Sequence, residues 1–133
     1  ILSEVGPEGH SDADVVLHAV ADALLGAAGL PDIGQLFPNT DPALAGMDSA
    51  RIVERAVREA RALGWQVGNL DLTLLAERPK VARHVPAMKA RLAQLLGVDP
   101  SQVGVKATTS EGLDAVGEGR GIACHAVVLL FKA

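Results

Sequence analysis

The chain has 133 residues, 49% of them hydrophobic and 21% charged, with a net charge of −4; this suffices for one domain with a real core but not for two, and excludes intrinsic disorder. Two Phe, one Trp and no Tyr leave the core to Ala, Val and Leu and offer no stacking platform for single-stranded nucleic acid, while the acidic balance argues against nucleic acid as a partner. No run approaches the roughly 20 apolar residues of a membrane span, and the N-terminus lacks a basic-then-apolar leader, so a cytoplasmic protein with no membrane partner is expected.

The first predicted element is a helix over residues 12–28, with Gly29 as its stop. It begins within HSDADVVLHAVAD, where Ser11 and Asp14 fit a capping-box-like start that places the first turn just after His10. Asp14, His18 and Asp22 recur at every fourth position and share one stripe, while Val16, Val20, Ala23, Leu24 and Ala27 fall on other sides. A satisfied buried histidine flanked by helix-stabilising acids accounts for most such stripes. In so apolar a segment, however, an ionised carboxylate costs several kcal/mol unless something positive faces it, and a divalent metal or a bound cation is such a partner. His18 is the candidate ligand. Successive fourth residues step about 6 Å along the axis, so Asp14 and Asp22 cannot hold one ion together and further ligands must come from elsewhere. Asp22 is then expected to accept the free ring N–H of His18 and fix its tautomer.

After Gly29, LPDIGQLFPNTDPALAGMD is rich in Pro, Gly, Asp and Asn, a long irregular connection of the kind that domains keep for binding. A second helix starts at Asp48 or Ser49, and its apolar positions Ile52, Val53, Ala56, Val57, Ala60 and Leu63 follow the helical period up to Gly64. Residues 67–75 alternate as a strand. Pro86 opens a third helix that runs to Leu96 before Gly97. Strands over 103–108 and 122–131 follow, the second holding Cys124, whose apolar surroundings predict an inert buried thiol. No Gly-rich nucleotide fingerprint follows a strand. The alternation therefore predicts a two-layer α/β (α+β) sandwich, a mixed sheet with helices packed on one face.

Two segments carry polar groups beyond what structure alone requires. In KATTSEG, at a strand end, Thr108, Thr109 and Ser110 offer hydroxyls and amides beside Glu111; ordinary turn residues would look the same, but such a cluster can also hold phosphate while the acid holds a cation. AERPK, from Ala76 to Lys80, ends a strand in a Pro-containing turn with two cations, and is most simply a solvated loop. GEGRG precedes a strand and not a helix, so no helix dipole supports a phosphate cradle there.

The run GHSDADVVLHAVADALLGAAGLPDIGQLFPNTDP resembles the signature of the 2-C-methyl-D-erythritol 2,4-cyclodiphosphate synthase family. The likeness continues in register through NLDLTLLAERPK, ATTSEG and GIACHAVVLLFKA, and so covers essentially the whole chain. It implies a homotrimer with a fold like that of trimeric chorismate mutases and with active sites at the subunit interfaces. The implied reaction belongs to non-mevalonate isoprenoid biosynthesis: 4-diphosphocytidyl-2-C-methyl-D-erythritol 2-phosphate cyclises to the 2,4-cyclodiphosphate with release of CMP, which makes the chain a lyase with a small-molecule cytidine diphosphate substrate. Residue by residue, the resemblance makes His18 a ligand of a tetrahedral Zn²⁺ that grips the β-phosphate, and gives Glu111 a share in holding Mg²⁺ or Mn²⁺ on the substrate diphosphate. His10 and Thr109 match positions that stabilise the pentavalent transition state. Ser11 contacts substrate, as do Thr108, Thr109, Ser110 and Glu111. Asp32, Ile33 and Gly34, with Phe37, Pro38, Asn39, Thr40 and Asp41, match the segments that hold the methylerythritol portion. Ala76, Pro79, Lys80 and Ala82 match the segment that receives the cytidine of a neighbouring subunit.

Three departures from the family pattern bear on function. No Asp-x-His motif, the source of the other two zinc ligands in relatives, precedes His10, and Ile1 is not a start methionine. The expectation is that the natural protein begins earlier and carries the motif there, along with an N-terminal strand that residues 1–133 lack. A true truncation would instead weaken zinc binding severely and leave a non-catalytic trimeric module for a nucleotide or an isoprenoid diphosphate. Finally, Ala115 stands where relatives often have Phe, and Glu118 where they have Arg.

Overall fold

Pro7 supplies a pre-set helical φ and needs no amide partner, and from it helix α1 runs to Ala27. The computed structural model describes residues 7–36, 49–75, 84–108 and 123–132, with side chains from residue 14 onward. The helix start is thus four residues earlier than Ser11, which lies inside α1 and not at its cap; a proline at the first turn overrides the capping-box reading. Asp14 likewise sits in the second turn or beyond, where its partner is a side chain and not the helix end. Along α1, Val16, Val20, Ala21, Leu24 and Leu25 are buried.

The expected irregular connection opens on a short helix, α2 (Ile33–Leu36), started by Asp32, whose carboxylate accepts the Gln35 N–H at 3.0 Å. Helix α3 (Ser49–Ala62) then turns Ile52, Val53, Ala56, Val57 and Ala60 inward and packs against α1. After Gly64, at φ 91°, strand β1 (Trp65–Leu75) begins. Helix α4 (Val85–Leu96) follows and ends at Gly97 in the left-handed region, φ 70°, its N–H closing on the carbonyls of Ala93 and Gln94. Arg61 of α3 reaches over to the Leu96 carbonyl at 3.3 Å, tying the two helix ends together. A 3₁₀ turn (Pro100–Gln102) closed by the Asp99 capping box leads into β2 (Val103–Thr108), and β3 (Ala123–Lys132) completes the set.

Among the described residues the strands form one sheet in the order β2-β1-β3. β1 and β2 run parallel, with Leu70 opposite Val103 and Leu75 opposite Thr108, and α4 is the crossover such a pair demands. β3 lies antiparallel on the other side of β1, so the sheet is mixed, as the alternating pattern predicts. The strand's alternation carries a defect at Gly68. The pairing slips there, between Val67 and Asn69, and the buried set changes phase from Val67 to Leu70, Leu72 and Leu74, as an extra residue in a period-two element requires. A side chain at 68 would meet the Leu129 carbonyl at 3.2 Å, and Gln102 donates to the Gly68 carbonyl at 2.7 Å, so glycine and bulge belong together. α1, α3 and α4 cover one face of the sheet, and their buried side chains join those of β1 and Val103 in a single core. On the opposite face Val127, Leu129 and Phe131 remain 68%, 62% and 48% exposed.

Cys124 pairs with Leu74 across the strands and is half-buried. Burial pushes its thiol up to about 11, which leaves almost no thiolate at neutral pH. Alkylation by iodoacetamide of the folded protein is therefore expected to be far slower than that of the urea-unfolded chain, as followed by mass spectrometry; equal rates would contradict the inert reading.

Candidate active site

Where α1 and the start of α3 meet, three polar side chains come together. Ser49, the first residue of α3, is 5% exposed. Its hydroxyl donates to Asp14 Oδ1 at 2.6 Å, and the same oxygen lies 3.4 Å from His18 Nε2. Asp14 and His18 occupy the same stripe of α1 one turn apart, and both are exposed, as is Asp22. The stripe is therefore not enclosed in a mostly buried helix: α1 is two-sided, its apolar residues facing α3 and the sheet while the polar line faces outward.

Asp22 does not accept the His18 ring N–H. Its Oδ1 instead takes the Ile33 backbone N–H at 3.2 Å, because α2 begins beside the end of α1. The carboxylate thereby fastens Asp32, Ile33 and Gly34 to α1, which gives it a use in placing that segment. The oxygen at the His18 ring comes from Ser49, 31 residues away in sequence. Sequence reasoning missed it, although a signal existed: Ser49 lies on the inward stripe 49-52-53-56-57-60 of α3, where every other member is apolar.

The end of the sheet forms a second focus. Leu75 pairs with both Thr108 and Ala123, so the chain leaves the C-terminal ends of the parallel strands β1 and β2 side by side. That edge is where open α/β sheets bind ligands. Thr108 stands there, exposed. The segments that leave it carry Ala76, Pro79, Lys80 and Ala82 from β1, and Thr109, Ser110 and Glu111 from β2. Those residues, like Phe37, Pro38, Asn39, Thr40 and Asp41, lie outside the described residues, as do Ala115 and Glu118. His10 and Ser11 are placed by the backbone alone, in the first turns of α1.

An exposed imidazole with a hydroxyl oxygen 3.4 Å from one of its nitrogens and its other nitrogen free of partners among the described residues suits a metal ligand. Among the described residues no three His, Cys, Asp or Glu side chains converge, so His18 fits as a single donor of a tetrahedral site whose other donors lie elsewhere. Also among the described residues, no helix is long and apolar enough to cross a membrane.

The fold and sequence have close counterparts. A synthase of 2-C-methyl-D-erythritol 2,4-cyclodiphosphate from Trichlorobacter lovleyi is 55% identical over 127 residues, covering 96% of this chain and 81% of its own length. The bifunctional IspDF of Campylobacter jejuni superposes with a TM-score of 0.86 at 38% identity, over 93% of this chain and 34% of that one. IspF of Plasmodium falciparum, solved as a CDP complex, gives a TM-score of 0.79 at 33% identity, over 92% and 74%. The YgbB family model matches residues 1–131, and with likeness of this extent in both sequence and fold, the chain belongs to the YgbB family.

Proposed function

We propose that this chain cyclises 4-diphosphocytidyl-2-C-methyl-D-erythritol 2-phosphate. The observation that carries the reading is the 55% identity, over 96% of the chain, to a protein named for that product. The relatives' names support this enzyme and not a binding module. In the reaction an oxygen of the 2-phosphate attacks the β-phosphorus, the bond from that phosphorus to the bridging oxygen breaks, and CMP departs with the electron pair. Nucleophile and leaving group are both phosphates, so little proton transfer is needed and catalysis consists of positioning and charge neutralisation.

His18 would hold Zn²⁺ and Glu111 would help hold Mg²⁺ or Mn²⁺ on the diphosphate; such ions, when bound, neutralise phosphate charge and polarise the P–O bonds. His10 and Thr109 stabilise the crowded phosphorus, and Ser11, Thr108 and Ser110 orient its oxygens. Asp32, Ile33 and Gly34, held through Asp22, grip the methylerythritol portion together with the segment from Phe37 to Asp41. The segment bearing Ala76, Pro79, Lys80 and Ala82 receives the cytidine, a role supported by a CDP-bound relative of the same fold. We further propose a homotrimer with sites between subunits, supported by the uncovered apolar face of β3.

The test is CMP release. Incubated with the diphosphocytidyl substrate, the full-length protein should yield CMP and cyclodiphosphate in equal amounts, followed by phosphorus NMR. Binding of CDP without any CMP release would sink the catalytic reading.

A further inference from the structure

Ser49 carries one proton and has two polar partners beside it, Asp14 and His18, and that shortage decides how the His18 ring is held. A carboxylate only accepts hydrogen bonds, and the 2.6 Å contact with Asp14 lies in the range of a charge-assisted O–H to carboxylate bond. The single hydroxyl proton is therefore spent on Asp14. What Ser49 turns toward His18 Nε2, 3.4 Å away, is a lone pair, and the contact is favourable only when Nε2 bears hydrogen. A neutral imidazole protonated at Nε2 has its bare lone pair at Nδ1.

We propose that Ser49, oriented by Asp14, is a positioning residue for His18, holding the Nε2–H tautomer and presenting Nδ1 to the metal. The placement suits the task. Ser49 is buried at the junction of two packed helices, so its oxygen is fixed by the core, whereas His18 is exposed and has rotamer freedom that such a contact reduces. Asp14, one turn before His18 on the same helix, sets the direction of the hydroxyl proton. The proposal rests on the reading of His18 as a metal ligand, and the experiment separates the two.

Full-length wild type, Ser49→Ala, Ser49→Thr, Asp14→Asn and His18→Ala proteins are stripped of metal and titrated with zinc against a chromophoric chelator. Nitrogen–proton correlation NMR of the metal-free proteins reads the His18 tautomer. S49A should weaken zinc binding by about 10- to 100-fold, the range found when an outer partner of a ligating histidine is lost, and shift His18 toward a mixture of tautomers. S49T, which restores the hydroxyl, should recover both. CMP release by S49A should return to near wild type at saturating zinc, a split that a general loss of structure would not give. D14N sits on the exposed side of the contact and serves as the second variant should S49A not fold; it should move zinc affinity and tautomer in the same direction. If H18A loses zinc while S49A and D14N keep wild-type affinity and tautomer, Ser49 is not a positioning residue although the metal reading stands. If H18A binds zinc as tightly as wild type, both are overturned.

Discussion

The full-length protein carrying His18→Ala is expected to release CMP about 10²- to 10⁴-fold more slowly than wild type, which corresponds to the several kcal/mol that a metal contributes to phosphoryl transition-state charge at about 1.4 kcal/mol per tenfold. Zinc measured by atomic emission on the purified protein should fall with it. Stability should not. His18 is exposed, its described polar contact is the 3.4 Å approach to Ser49, and alanine is the better helix former, so a thermal melt should stay within about 0.5 kcal/mol of wild type, as for most surface substitutions. The dissociation of rate from stability is the informative result. A protein that melts as wild type, retains zinc and turns over at the wild-type rate would overturn the proposed role of His18 as a metal ligand.

Most of the fold could be read from the chain because its elements are strongly periodic and sharply punctuated. Helix α3 declares itself by apolar residues at helical spacing, and its stop by Gly64, which the structure holds at φ 91°. The end of α4 follows from Gly97 in the same way. The errors arose where one local rule overrode another. At α1, Ser11 and Asp14 look like a cap, but Pro7 starts the helix earlier. In β1, simple alternation does not disclose that the phase changes at Gly68; a lone glycine within a strand signals a bulge, and the paired strand determines which residues face the core on either side.

The site divides along a different line. Residue types that carry chemistry were legible, because His and Asp stand out against the apolar surroundings of α1. Their partners were not. Asp22 stands one turn from His18, which makes it the nearest candidate in sequence, yet its carboxylate goes to the Ile33 amide, since a backbone N–H at the start of α2 lies within reach and needs an acceptor. The histidine's neighbour is Ser49, brought in by the packing of α3 on α1, a relation that no spacing within one helix encodes. Local periodicity gives faces of elements; which faces meet is settled by packing across the whole chain.

Replacing Val127 and Leu129 together by Asp is expected to turn the proposed trimer into monomers and, with it, to abolish CMP release. Both side chains lie on the uncovered face of β3, at 68% and 62% exposure, with Phe131 beyond them. Strand side chains two residues apart point the same way, so the three form one apolar line. Its burial against other subunits would contribute at most roughly 1.5–3 kcal/mol per side chain. Two carboxylates on that line would have to be buried unpaired, at a cost of several kcal/mol each, so association cannot survive them. The monomer should remain folded, because its core lies on the other side of the sheet, among Leu70, Leu72, Leu74 and the helices. The loss within the strand should be limited to about 1 kcal/mol of β-propensity. Light scattering coupled to size exclusion gives the mass, circular dichroism the fold, and CMP release the consequence for sites assembled between subunits. A doubly substituted protein that still has the trimer mass, or a wild type that is monomeric and fully active, would take the interface away from this face of the sheet.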